Sequence, residues 1–83
     1  MSKKVIRVKE VIKMEAVVIS DDFIKLGQLL KLANMVSSGV EAKIVIQNGE
    51  VKVNGEIDTR RGKKIYPNDV VEYKGQQVTV IGE

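Results

Sequence analysis

Arg60-Arg61-Gly62-Lys63-Lys64 packs four cations into five consecutive residues. A guanidinium presents a planar fork that matches the oxygens of a phosphate, and an ammonium adds a mobile point charge. Gly62 lets the backbone bend or approach closely. Such a run suits the holding of a polyanion; the plainer reading is a solvated basic loop. Lys25, Gln28, Lys31, Lys43 and Gln47 form a second set. Each alone reads as a solubilising surface residue. On two helices with their apolar stripes packed inward, these polar faces would border one groove, with Ser37 and Ser38 at its neck offering hydroxyl and amide donors to phosphate. Lys52, between Val51 and Val53, must point away from them and would extend the basic surface along a sheet.

Other chemistries lack their residues. The chain has no cysteine and no histidine, which excludes disulfides, thiolate metal sites, thiol nucleophiles and imidazole acid/base catalysis. Asp21 and Asp22 read as helix-capping residues and Asp69 as a turn former, and no carboxylate pair stands out as a general acid with its base. No catalytic residue, metal site or cofactor is expected. Phe23, Tyr66 and Tyr73 are the aromatics, and they do not form the paired pattern of a base-stacking sheet. Tyr66, beside the basic run, is kept as a possible contact with a core role as its alternative.

The elements that must position these residues follow from periodicity. Residues 5–19 fit a helical stripe at Val5, Val8 and Ile12, and also strict alternation at Ile6, Val8, Ile12, Met14, Ala16 and Val18. β-Branched residues favour a strand with its even-numbered face apolar, broken at Glu10. Ser20, Asp21 and Asp22 offer capping oxygens, so a helix is predicted to start there, with Leu26, Leu29, Leu30 and Ala33 on its apolar face and its end near Asn34. Ser38 with Glu41 reads as a reciprocal capping box that opens a second helix with Ala42, Val45 and Ile46 inward. Asn48-Gly49 ends it. Two helices of about ten residues each would then form an angled pair.

After Gly49 the period changes to two. Val51 and Val53 lead into the hairpin turn Asn54-Gly55, whose residues read as turn chemistry rather than contact. Val70, Val71 and Tyr73 form another strand, Lys74-Gly75 turns the chain, and Val78, Val80 and Ile81 form the last. Pro67-Asn68-Asp69 fits a loop.

At 83 residues there is room for one domain with a small core. Residues 1–20 read as an N-terminal β extension packed on a domain of residues 21–83. Hydrophobic residues at 43% and charged ones at 30% fit a globular chain. No stretch approaches the roughly 20 apolar residues of a membrane span, so the cytoplasm is the expected location. The net charge of +3 is modest, but its distribution is uneven: +4 over residues 1–13, −3 over 14–24, +4 over 25–64 and −2 over 65–83. A local field of this kind steers a polyanion even when the total is small.

Lys25-Leu26-Gly27-Gln28-Leu29-Leu30, Ser38-Gly39-Val40-Glu41-Ala42-Lys43 and Gly49 with Val51-Lys52-Val53-Asn54-Gly55 together resemble the S-four RNA-binding domain. They follow its first-helix Arg-Leu-Asp, second-helix Ser-Arg-x-Glu-Ala-Arg and closing Gly-x-Val-x-Val-Asn-Gly motifs. The chain is most similar to the short free-standing members of that family, the YaaA type, in which Leu-Gly-Gln-x-Leu-Lys-Leu and Arg-Arg-Gly-x-Lys recur. Here those are residues 26–32 and 60–64. The resemblance implies an α+β fold, a two-helix motif on a small, mostly antiparallel sheet. It also implies RNA contacts at Lys25, Gln28, Ser38, Lys43, Lys52, Arg60 and Arg61. Gly27 stands where the family has an acidic residue and Gly39 where it has an arginine, which weakens the expected grip at the second-helix neck. Residues 1–14 extend beyond the short form. Their five cations would either add phosphate contacts or guard an edge strand against aggregation, and the second is favoured.

The sequence therefore points to a non-enzymatic protein that grips structured RNA, ribosomal or transfer RNA, by phosphate and shape, with association with the ribosome or a subunit. A-form RNA hides its base edges in a deep, narrow groove, so a domain without stacking aromatics should read shape. The alternative is a protein-interaction module that docks an acidic partner or adds a strand to a sheet edge. A sulfur carrier of small-sheet fold would end in Gly-Gly, whereas this chain ends in Ile81-Gly82-Glu83.

Overall fold

The computed structural model describes residues 13–83. Along the chain run β1 (Lys13–Ile19), β2 (Ile24–Lys25), α1 (Leu26–Leu32), α2 (Gly39–Gln47), β3 (Val51–Val53), β4 (Glu56–Ile57), β5 (Lys64–Ile65), β6 (Val70–Tyr73) and β7 (Gln76–Gly82). Five strands make one sheet in the order β1-β7-β6-β3-β4, and β2 pairs with β5 in a separate ribbon. Within the large sheet β1 and β7 run parallel and the other pairs antiparallel. This is the α+β architecture expected from the motifs, two helices on a mostly antiparallel sheet.

One face of that sheet is apolar by alternation. Val51 and Val53 of β3, Val71 and Tyr73 of β6, and Val78 and Val80 of β7 are all buried, as a period of two requires of a half-covered sheet. Leu26, Leu29 and Leu30 of α1, with Ala42, Val45 and Ile46 of α2, complete the same core. Type I′ geometry joins the strands at two places: Asn54 and Gly55 have φ of 53° and 88°, and Lys74 and Gly75 have 51° and 76°. Such turns match the twist of an antiparallel pair. Asn54 does more than turn. Its amide donates to Asp69 Oδ1 at 3.0 Å and its carbonyl accepts from the Val70 backbone at 2.9 Å, which ties the hairpin tip to the loop before β6.

Several expectations need correction. The first helix starts at Leu26, not at Ser20–Asp22: Ile24 and Lys25 are spent on the ribbon with β5, and Lys25 is the N-cap residue without a side-chain bond. The helices have 7 and 9 residues, shorter than the ten expected. In β1 the inward face is the odd one. Ile19 is buried and Val17 packs against the core, while Ala16 and Val18 are exposed. Every residue from Ala16 to Ile19 is apolar, so alternation does not choose a face there; the parallel register with β7 does. The strand expected over residues 5–12, and with it most of the N-terminal extension, lies outside the described residues.

The α2 cap is also built differently from a reciprocal box. Ser38 Oγ accepts from the Glu41 backbone at 3.1 Å as expected. The Glu41 carboxylate, however, takes both the backbone N–H and the hydroxyl of Ser37, each at 2.9 Å. These two bonds hold the Glu41 carboxyl below its ordinary pKa. A lowered folded-state pKa stabilises the fold above the ordinary carboxylate range and loses that contribution as pH falls through the lowered value. Ser38→Ala is expected to cost about 1 kcal/mol. Thermal melts at neutral pH should show this as a midpoint about 4–8 °C lower, and an unchanged midpoint would mean that the cap does not hold α2.

Candidate nucleic-acid interface

The ribbon of β2 and β5 brings the basic loop to the start of α1. Leu26 N–H donates to the Lys63 carbonyl at 2.9 Å and Gly27 N–H to the Arg61 carbonyl at 3.0 Å. The first turn of a helix has donors with no intrahelical partner, and here the loop backbone satisfies two of them. That is why α1 needs no capping side chain. Gly27 makes the approach possible: a Cβ at this position would stand 2.7 Å from Arg61 Cγ. The Arg61 stem therefore lies across a buried glycine.

Where loop and helices meet, an open groove of about 350 Å³ is lined by Lys25, Gly27, Gln28, Lys31, Gly39, Ala42, Arg61 and Gly62. Lys25, Gln28 and Lys31 recur every three residues, so they share one helical face. Three glycines and an alanine keep its floor low. Among the described residues no carboxylate pairs with Lys25, Lys31 or Arg61. Lys25 also stands directly opposite Lys64 in the ribbon, a juxtaposition of like charges that works against the strand pair. The result is a concave, cationic surface whose lining includes no carboxylate.

The other candidate residues are placed differently. Arg60 closes a bidentate pair on Asp58, at 3.0 Å from Nε and 2.7 Å from the terminal nitrogen, and its backbone N–H reaches the same carboxylate at 2.9 Å. This hydrogen-bonded pair lowers the Asp58 pKa and raises that of Arg60. Arg60 thus shapes the loop with its charge already partnered. Lys63 is half-buried and its carbonyl is the one that receives Leu26. The Lys64 ammonium sits over the Phe23 ring, 4.9 Å from its centroid. Lys43 is exposed on α2 one turn beyond Gly39, at the groove's edge, and Gln47 is exposed a turn further on.

Ser37 and Ser38 are engaged in the α2 cap, and the Ser37 hydroxyl proton is given to Glu41. The neck therefore carries a carboxylate beside its hydroxyls. Lys52 points away from the core as expected, but it is paired in register with Glu72 and Ile57 on the sheet face opposite the helices. The structure brings Lys25, Gln28, Lys31 and Arg61 together in one groove, with Lys43 exposed on α2 next to Ala42 of its lining, and leaves Lys52 apart.

Sequence reasoning missed Gly27 as a site residue and Asp58 as the partner of Arg60. The signal for Gly27 was its place in a motif where a charged residue is usual. That for Asp58 was an Asp two residues before an Arg, the spacing of an Asx turn. Tyr66 is exposed and its ring lies 5.9 Å from that of Phe23 at a tilt of 54°, a pairing that their separation in the sequence conceals. Among the described residues no group of His, Cys, Asp or Glu could hold a metal ion, and no helix is long and apolar enough to cross a membrane.

A family model described as the S4 domain matches residues 17–81. The chain is 51% identical over 57 residues to a Bacillus subtilis protein named "Probable ribosome maturation protein RlbA", covering 69% of this chain and 80% of the relative. It is 41% identical over 58 residues to YbcJ of Escherichia coli, covering 70% of this chain and 83% of YbcJ. The solution structure of YbcJ, described as revealing an αL motif involved in RNA binding, superposes with a TM-score of 0.63 at 32% identity, over 95% of this chain and 99% of that one.

Proposed function

The chain belongs to the S4 domain family, and from that premise we propose that it is a non-enzymatic protein that binds structured RNA through the groove between α1, α2 and the basic loop. One observation carries this reading: Lys25, Lys31 and Arg61 line a single groove and no described carboxylate neutralises them. The grip is electrostatic and follows backbone shape, since the groove offers cations and the Gln28 amide rather than a set of base-reading partners. The first N–H groups of α1 are consumed by the loop, so side chains rather than the helix terminus meet the phosphates. Lys43 and Lys64 extend the cationic surface at the rim.

The RNA partner is ribosomal RNA or transfer RNA in the cytoplasm. The name of the B. subtilis relative favours ribosomal RNA, with action on a ribosomal particle during its maturation.

The loop's two arginines separate this reading from one in which the run 60–64 acts as a uniform basic patch. With a labelled RNA hairpin as probe, Arg61→Ala should weaken binding about fivefold, the loss of one charge-assisted contact of about 1 kcal/mol. Arg60→Ala should change it by less than about twofold while lowering thermal stability, because Arg60 is held by Asp58. Equal effects on affinity would refute the groove and support the uniform patch.

A further inference from the structure

A second groove of about 560 Å³ shares Gln28 and Lys31 with the first. Its remaining lining comes from the end of β1, the turn that follows and the far side of α1, with Val18, Ser20, Asp21, Phe23, Ile24 and Leu32. Polar and apolar side chains both line it, and it adds an aromatic ring and a carboxylate that its neighbour lacks. Val18 and Leu32 line it while 59% and 58% exposed, so large apolar surface is left to water on two elements that face one space. Phe23 forms part of the wall and is braced by the Tyr66 ring and the Lys64 ammonium. Asp21 and Ser20 are exposed, and among the described residues the Asp21 carboxylate has no hydrogen-bond or ion-pair partner.

Apolar side chains and an aromatic ring interspersed with polar groups suit a flat, partly polar ring. Asp21 sets which part of a nucleotide enters. A carboxylate repels phosphate but accepts hydrogen bonds from an exocyclic amino group or a ring N–H. The cationic groove holds no carboxylate, and Gln28 and Lys31 lie on the ridge between the two. A phosphate held at Lys31 would have its own base within reach of the second groove, because Lys31 lines both.

We infer that this second groove receives an unpaired nucleobase of the RNA whose phosphates occupy the basic groove, so that the protein recognises a helix carrying a bulged or looped-out nucleotide. The inference rests on the phosphate-groove reading. It deepens that reading from shape in general to a particular defect of shape, consistent with the way proteins reach bases that a paired A-form helix conceals.

Two hairpin RNAs test it, identical except that one carries a single unpaired 2-aminopurine in its stem. The wild-type protein should bind the bulged hairpin about tenfold more tightly, the scale of one base stacked on a side chain, and should change the fluorescence of the probe base. Asp21→Ala and Leu32→Ser alter exposed residues. Each should reduce that preference to less than about threefold, with affinity for the fully paired hairpin not lowered, as the control for folding. Equal wild-type binding of both hairpins, with both weakened by loss of Lys25, Lys31 and Arg61, would overturn the base slot and leave the phosphate groove standing. Binding of neither would overturn both.

Discussion

Replacing Lys25, Lys31 and Arg61 together by alanine is expected to weaken binding to a structured RNA about a hundredfold near physiological salt. Each side chain supplies one charge-assisted phosphate contact with a net value of about 1 kcal/mol in an exposed groove, and three such contacts amount to two decades in affinity. The salt dependence should fall with it. Every phosphate contact contributes about 0.7–0.9 to the slope of log K against log salt, so the variant should lose about 2 to 3 of that slope. The fold should be indifferent or slightly favoured, because these cations have no described carboxylate partner and Lys25 faces Lys64 across the ribbon. Affinity measured across a salt series, with a thermal melt of the same preparation, reads all three effects. A variant that binds as well as wild type would remove the groove from the account. One that loses affinity only by unfolding would reassign these residues to stability.

Gly27→Val should also have a large effect, through a residue that brings no side chain of its own to the groove. A side chain at this position meets Arg61 Cγ at 2.7 Å and the Arg61 carbonyl at 3.6 Å. The clash is with Cγ rather than the far end of the Arg61 side chain, and the loop backbone is held to α1 by two hydrogen bonds, so relief requires the whole Arg61 side chain to leave its seat. The expected cost is about 1–3 kcal/mol from overpacking a buried position. Displacement of Arg61 should weaken RNA binding by about as much as Arg61→Ala, roughly fivefold. Gly27→Ala should be milder, since a helix interior gains about 1 kcal/mol when alanine replaces glycine and offsets part of the clash. Chemical denaturation and binding of the two variants check this order. A valine variant as stable and as tightly binding as wild type would show that the loop does not need its close seat on α1.

Much of the fold was legible because local chemistry and tertiary packing agree. Leu26, Leu29 and Leu30 lie at helical spacing and all are buried; Val51 and Val53 alternate around Lys52 and their side chains go inward. Asn54-Gly55 and Lys74-Gly75 both turn the chain with positive φ. Sequence reading went astray where a partner distant in the chain decides. The start of α1 is set by carbonyls of Arg61 and Lys63, more than thirty residues downstream, so Ser20 and Asp21 were mistaken for its caps. The face of β1 is set by its pairing with β7 at the other end of the chain.

The candidate site shows the same division. Lys25, Gln28 and Lys31 were identified together because helical spacing alone puts them on one face. The run Arg60-Arg61-Gly62-Lys63-Lys64 was identified by charge, but charge does not distinguish its members. Arg60 pairs with Asp58, Arg61 lies over Gly27 and lines the groove, Lys63 lends its carbonyl to α1, and Lys64 covers Phe23. A residue's charge is written in the sequence, whereas its availability to a ligand depends on the neighbours that folding provides.

Ultraviolet crosslinking in cells that make the protein, followed by sequencing of both the attached RNA and the crosslinked peptides, would show which RNA is bound and by which residues. The account expects one structured RNA to be enriched, with nucleotides attached to peptides spanning Lys25–Leu32 and Arg60–Lys64, and this signal to be lost in the Lys25, Lys31 and Arg61 alanine variant. No RNA enriched over background, or crosslinks confined to the sheet face that carries Lys52, would contradict it.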